Sequence, residues 1–226
     1  RLRDARIGDL VFNPADEALW GVRHLNGVSA LVRIPPPYDK WTLVHASEFS
    51  RDFFDLDLSP DGSLLAMTVG DPSGKQTLKA FRTADLLAGE IKDVLSYQPG
   101  AAQPEGAAFS ADGAHLYFSS YYTGVSNIFR LDVATGAVEA VSNAETGYVR
   151  PIPLSDGSLI AFEYAGDGFT PVRFDPVPVA DVGAISFLGA ELVVKHPVIK
   201  TWAVGSPMKV DLSAVAPAET TYKPRR

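Results

Sequence analysis

The chain has 226 residues, 46% of them hydrophobic and 21% charged, with a net charge of −7, a globular balance that excludes disorder over most of its length and speaks against a nucleic-acid surface. It contains no cysteine, which excludes disulfides, cysteine-ligated zinc, iron–sulfur clusters and thiol nucleophiles, and no run of 18 apolar residues, which excludes a spanning helix. Its 19 glycines and 17 prolines exceed the usual share and point to many turns between short strands.

One unit recurs four times, over about residues 7–50, 51–100, 101–147 and 148–176. Its landmark is an apolar residue followed by a small turn. The copies are Phe12-Asn13-Pro14-Ala15-Asp16, Leu58-Ser59-Pro60-Asp61-Gly62, Phe109-Ser110-Ala111-Asp112-Gly113 and Pro153-Leu154-Ser155-Asp156-Gly157, with leading residues 46, 51 and 44 apart. Ser-Pro-Asp-Gly turns for physical reasons: proline pre-sets the first corner, aspartate bonds nearby N–H groups, and glycine accepts positive φ. A second landmark holds the same register. Gly27-Val28-Ser29-Ala30-Leu31-Val32-Arg33-Ile34 returns as Gly124-Val125-Ser126-Asn127-Ile128-Phe129-Arg130-Leu131, offset by 97, the same separation as Phe12 and Phe109.

Within each copy the apolar period is 2, the period of strands. The second copy predicts strands at Phe54–Leu58, Leu64–Val69, Thr77–Arg82 and Asp93–Tyr97, with a helical turn at Ala84–Gly89 that accounts for the longer spacing. The third predicts strands at Gly106–Phe109, Leu116–Ser120, Ile128–Val133 and Val138–Val141. Four antiparallel strands in about 45 residues is the pattern of a β-propeller blade, and blades bury their faces only by stacking side by side. A β-sandwich gives no reason for an in-register repeat. The expected fold is therefore all-β: a β-propeller of four recognisable four-stranded blades over 1–176, part of a larger ring, with a C-terminal tail over 177–226 packing on it. That tail has strand-like runs at Ala184–Leu188, Glu191–Lys195 and Pro197–Val204.

Ser59-Pro60-Asp61-Gly62-Ser63-Leu64-Leu65-Ala66 and Ser126-Asn127-Ile128-Phe129-Arg130-Leu131-Asp132 resemble the WD40-like (PD40) repeat of TolB-type propellers. The resemblance covers roughly residues 7–176. The first copy departs from it in lacking the turn glycine, and the fourth in carrying Pro153 where an aromatic is expected. Phe187-Leu188-Gly189 and His196-Pro197-Val198-Ile199-Lys200-Thr201-Trp202 resemble a segment that links such a propeller to an outer-membrane barrel in large bacterial envelope proteins. The resemblance implies a periplasmic or cell-envelope location, with further blades upstream of Arg1 and other domains of the same protein beyond both ends.

Few residues suggest chemistry. The four histidines, His24, His45, His115 and His196, lie far apart in sequence and form no zincin pattern. Gly27-Val28-Ser29 and Gly124-Val125-Ser126 precede strands, whereas a serine nucleophile elbow follows one and opens a helix. Asp57, Ser59, Asp61 and Gly62 mimic the start of a calcium loop, but Thr68 stands at the bidentate position and Pro60 interrupts; alternating strand residues followed by a turn is the simpler account. Tyr117, Tyr121 and Tyr122, with Tyr97 and Tyr148, form either a ligand shelf or blade-interface aromatics, the latter favoured. No cofactor, metal ligand or catalytic residue is assigned.

In a propeller the innermost strand of each blade lines the channel. In repeat register its early positions are Asp9, Asp55, Gly106 and Arg150, preceded by Gly8, Phe54, Glu105 and Val149. Asp9, Asp55, Glu105 and Arg150 are accordingly the candidate residues for a ligand or partner, against the competing account of a solvated, silent lining. The functional expectation is a non-enzymatic module that binds a protein, peptide or other ligand, with no nucleic acid and no membrane insertion by this segment, and with self-association possible through exposed blade faces. The alternatives are an accessory propeller that gates substrate for a peptidase or other hydrolase domain outside this chain, and, ranked last, an enzyme acting at its own channel.

Overall fold

In the computed structural model, which describes residues 2, 5–100, 102–179 and 195–198, the alternating segments form fifteen strands and one short helix. The chain divides into two compact units, Arg1–Ile185 and Ser186–Arg226, and all described strands belong to the first. The first sheet is β1 (Ile7–Asn13), β2 (Ala18–Leu25), β3 (Val28–Ile34) and β4 (Thr42–Ala46). The second is β5 (Asp52–Leu58), β6 (Leu64–Gly70), β7 (Gln76–Arg82) and β8 (Asp93–Tyr97), with helix α1 (Thr83–Leu87) between its last two strands. The third is β9 (Pro104–Phe109), β10 (His115–Ser120), β11 (Asn127–Asp132) and β12 (Val138–Ala140). The fourth is β13 (Tyr148–Pro153), β14 (Leu159–Ala165) and β15 (Gly168–Phe174). Every sheet is an antiparallel meander in chain order, and the ring of sheets is not closed.

The repeat motifs become turns and ties. Asp61 Oδ1 accepts from Ser59 Oγ at 2.6 Å and from the Ser63 N–H at 3.0 Å, while the Gly62 N–H donates to Ser59 O at 2.8 Å. Asp112 repeats this with Ser110 Oγ and the Ala114 N–H, and Asp156 with the Ser158 N–H. These carboxylates are occupied by their own turns, the backbone role that such sequences favour. In the first copy, which has no turn glycine, Glu17 takes the left-handed conformation instead (φ 52°). The second landmark links neighbouring blades: Ser29 Oγ donates to Asp52 at the start of β5 (2.8 Å), and Ser126 Oγ donates to Tyr148 O at the start of β13 (2.8 Å).

The core lies between sheets, not within one. Trp20, Val22 and Leu31 of the first blade pack against Phe53, Leu56, Leu58, Leu65 and Met67 of the second. Leu78, Ala80 and Leu95 meet Phe109, Leu116, Phe118 and Phe129 across the next joint. Tyr117, Ile128 and Val141 meet Leu159 and Ala161 across the last. The second and third blades are thus each buried by two neighbours, as stacked repeats require. Helix α1 adds Leu86, 1% exposed, to the first of these clusters.

The fourth sheet differs from expectation in having three strands among the described residues. Residues 175–179 do not fold back along β15. Pro176 and Pro178 have no N–H to donate to a ladder, and the Val179 N–H bonds Ala140 O on the outer strand of the third blade (2.9 Å). The strand-like runs at 184–188 and most of 191–195 lie outside the described residues, and of Pro197–Val204 only Pro197 and Val198 are described, in a 3-10 turn.

Candidate functional site

Each innermost strand leaves regular pairing at one place. Asp9 and Leu10 stand opposite Gly21 alone, Asp55 and Leu56 opposite Met67, Gly106 and Ala107 opposite Phe118, and Arg150 and Pro151 opposite Ala161. Two residues against one make a β-bulge, and the first of each pair is left-handed: φ is 48° at Asp9, 54° at Asp55, 63° at Gly106 and 54° at Arg150. Glycine enters this region freely and aspartate tolerates it, whereas an arginine held there stores about 1 kcal/mol or more.

The bulges line up from blade to blade. The Asp55 N–H donates to Asp9 Oδ2 at 3.3 Å, and the Gly106 N–H donates to Asp55 Oδ2 at 3.0 Å. One strand turn further on, Asp57 Oδ2 accepts the Phe109 N–H at 2.7 Å. At the last joint there is no carboxylate to continue the series. Gly106 faces Arg150 directly, and a Cβ on Gly106 would lie 3.3 Å from Arg150 Cα.

Beside these bulges opens a cleft of about 950 Å³, lined by the second, third and fourth blades. Three of the four sequence-predicted residues come together here: half-buried Asp55, with exposed Glu105 and Arg150. Asp9 is outside the lining and reaches it only through its bond to the Asp55 N–H. Burial pushes the Asp55 carboxyl above the usual aspartate range and the Asp9 charge pushes it the same way; the Gly106 N–H and the Arg150 charge oppose them without cancelling the rise. Residues outside the predicted set supply most of the wall: Phe54, Tyr121, Phe162, Tyr164 and Phe169, with the amides of Gln76 and Gln103. Tyr164 and Phe169 meet edge to face at 5.6 Å, and both remain more than half exposed.

The tyrosine group divides between the two roles weighed for it. Tyr117 is buried at the joint of the third and fourth blades, Tyr97 packs on Phe118 and Tyr148 on Phe174, all interface positions. Tyr121, 59% exposed, belongs to the cleft. Its signal in the sequence was its place just past the end of a strand, at the same mouth as the bulges.

No protein-family model matches the chain, and no curated protein matches it. Solved structures do. A TolB of Agrobacterium tumefaciens aligns with a TM-score of 0.60 at 19% identity, over 75% of this chain and 61% of that one. TolB of Acinetobacter baumannii aligns at 0.62 and 15% identity, over 77% and 42%. The fold is that of a TolB-like β-propeller. A puromycin hydrolase is also similar, at a TM-score of 0.57 and 20% identity, over 77% of this chain and 31% of the hydrolase. The chain spans less than two thirds of each of these proteins, and at such identities the likeness is one of fold. In this TolB-like propeller the cleft lies where the innermost strands begin, beside the β6–β7, β10–β11 and β14–β15 connections.

Proposed function

We propose that this TolB-like propeller is a non-enzymatic binding module that holds a segment of a protein or peptide in the cleft at its channel mouth. The observation that carries this reading is Arg150. It sits in a left-handed conformation that costs energy, lines the cleft, and makes no ion pair within 4.0 Å among the described residues. Backbone strain of this kind gathers where a side chain serves a ligand. The rest of the wall suits a polypeptide. Arg150 offers a fork of donors to a carboxylate or carbonyl, and the amides of Gln76 and Gln103 match backbone groups. Gln76 Oε1 is buried and has no hydrogen-bond partner among the described residues. Phe54, Tyr121, Tyr164 and Phe169 cover apolar side chains.

The resemblance to TolB-type repeats supports a place for the module in the periplasm or cell envelope. The similarity to a puromycin hydrolase propeller supports a second reading, in which the same cleft gates substrate for a hydrolase domain elsewhere in the parent protein.

Photo-crosslinking from position 164 in cells that make the parent protein tests both. Under the first reading a benzoylphenylalanine there captures a polypeptide from the envelope fraction. Arg150→Gly, which relieves the strained backbone, weakens that capture about tenfold through the lost charge-assisted bonds. Capture unaffected by Arg150→Gly, or absent, overturns the reading. Capture of a catalytic domain of the parent chain selects the gating reading instead.

A further inference from the structure

Among the described residues four buried side-chain polar atoms have no hydrogen-bond partner: Trp20 Nε1, Thr68 Oγ1, Gln76 Oε1 and Ser120 Oγ. The last three belong to one place. Ala66 and Leu78 of the second blade pack against Leu116 and Phe118 of the third. Side chains alternate along a strand, so Thr68, Gln76 and Ser120, each two residues from one of these, point into the same joint. Thr68 pairs with Leu78 and Gln76 with Gly70, which makes Thr68 and Gln76 diagonal neighbours on one face. All three stand at the cleft end of the joint. Gln76 lines the cleft, Thr68 pairs with the lining residue Phe54, and Ser120 precedes the lining residue Tyr121.

Nothing in the repeat obliges these positions to be polar. Register places Val22 of the first blade and Phe162 of the fourth at the position of Thr68. The third blade has Ser119 there, and its Oγ donates to Glu105 O at 3.1 Å. Thr68 Oγ1 makes no such bond, although Thr68 is 0% exposed and Ser120 is 2% exposed. An unpaired hydroxyl kept from water costs free energy, so two of them at one end of one joint call for a partner. The cleft is where a partner arrives. Gln76 is half-buried, part of the cleft wall, with its Oε1 sealed from solvent. Its long side chain turns aside by rotamer changes alone, and in doing so gives up the space its carboxamide fills.

We propose that the joint of the second and third blades holds a subsite of the cleft for a neutral primary carboxamide, such as an asparagine or glutamine side chain of a bound polypeptide, with Gln76 as its displaceable plug. A carboxamide has N–H donors for the two hydroxyl oxygens and an acceptor for their O–H groups, and it brings no charge into a neutral setting. Gln76 offers the same group, but tethered to β7 it leaves its own oxygen unpaired; a carboxamide entering from the cleft is free to turn. The inference rests on the reading of the cleft as a binding site and names the chemistry of one part of it.

Benzamide is the probe, and acetophenone, similar in shape but without N–H donors, is its control. Binding of each to the 226-residue chain is followed by NMR titration of the amide resonances, the Gln76 side-chain pair included. Benzamide is expected to bind about tenfold more tightly than acetophenone, the size of the hydrogen bonding gained, and to move the Gln76 side-chain resonances. Thr68→Val with Ser120→Ala abolishes that preference and holds or raises the urea midpoint, because the hydroxyls removed were unpaired. Gln76→Ala removes the plug and tightens benzamide binding about threefold. The proposal is overturned by equal binding of the two probes, by a preference that survives the double variant, or by Gln76→Ala binding benzamide no more tightly. A lower urea midpoint in the double variant also overturns it, since the hydroxyls would then have been paired. Failure of the polypeptide reading is distinguishable: a benzamide site with no polypeptide captured from position 164 sinks that reading alone, and capture without a preference for benzamide sinks this one alone.

Discussion

Burial raises the proton affinity of Asp55 and Asp57, whereas short hydrogen bonds within turns lower it for Asp61, Asp71, Asp112, Asp132 and Asp156. The two groups push stability in opposite directions as pH falls. A turn aspartate with a lowered pKa binds fewer protons folded than unfolded. Its contribution is complete above the unfolded value near 4 and is lost as pH drops through the folded value. A buried aspartate with a raised pKa takes its proton earlier when folded, so acidification favours the fold at that site. The raised pair is opposed by N–H donors, from Gly106 at Asp55 and from Phe109 and Leu58 at Asp57, which limits its effect. The five turn residues therefore prevail. The urea midpoint is expected to hold from pH 6 to about pH 5 and to fall from there to about pH 3, and the slope to flatten in the Asp61→Asn, Asp112→Asn double variant. A midpoint that rises on acidification would show that the buried pair dominates.

At the scale of strands and turns, two glycines at equivalent positions separate local from interblade strain. Gly62 and Gly113 both close Asp-Gly turns at φ 71°. A Cβ on Gly62 would lie 2.0 Å from Asn13 Oδ1 of the first blade, whereas on Gly113 the nearest atom, Pro60 Cδ, is at 3.5 Å. Gly113→Ala is expected to cost about 1 kcal/mol, the left-handed penalty alone, and Gly62→Ala about 3 kcal/mol because Asn13 must also move. Equal urea midpoints for the two variants would refute the claim that the Gly62 turn is part of the joint. The strands themselves were legible from the period-2 pattern: β6, β7 and β8 fall within a residue of the predicted segments, and α1 falls where the 51-residue spacing called for an insertion. The bulges were not. Asp, Asp, Gly and Arg in one register read equally well as plain strand, and only the pairing of two residues against one reveals the left-handed backbone. Register alone brought Asp55, Glu105 and Arg150 to one mouth, but Phe162, Tyr164 and Phe169 join them through the curvature of the ring, which no local pattern encodes.

For the molecule as a whole, stability follows from how many neighbours each blade has. The second and third blades are covered on both faces, and their central strands carry fully buried residues such as Leu65, Met67, Leu116 and Phe118. Among the described residues the fourth blade has a joint on one side and three strands, the last of them, β15, exposed at its first four positions. Stacked repeats behave as a row of units whose stability is their own plus that of each shared interface, so a terminal unit opens at lower free energy than an internal one. Amide exchange in β14 and β15 should accordingly be faster than in β6 and β10, by a factor on the order of ten for each 1.4 kcal/mol of missing interface. The comparison carries its own control within the fourth blade: β14 shares the third joint through Leu159 and Ala161 and should fall between β15 and the internal strands. Uniform protection across β6, β10, β14 and β15 would mean that the four blades unfold as one block. In that case the open faces would contribute nothing to how the ring comes apart.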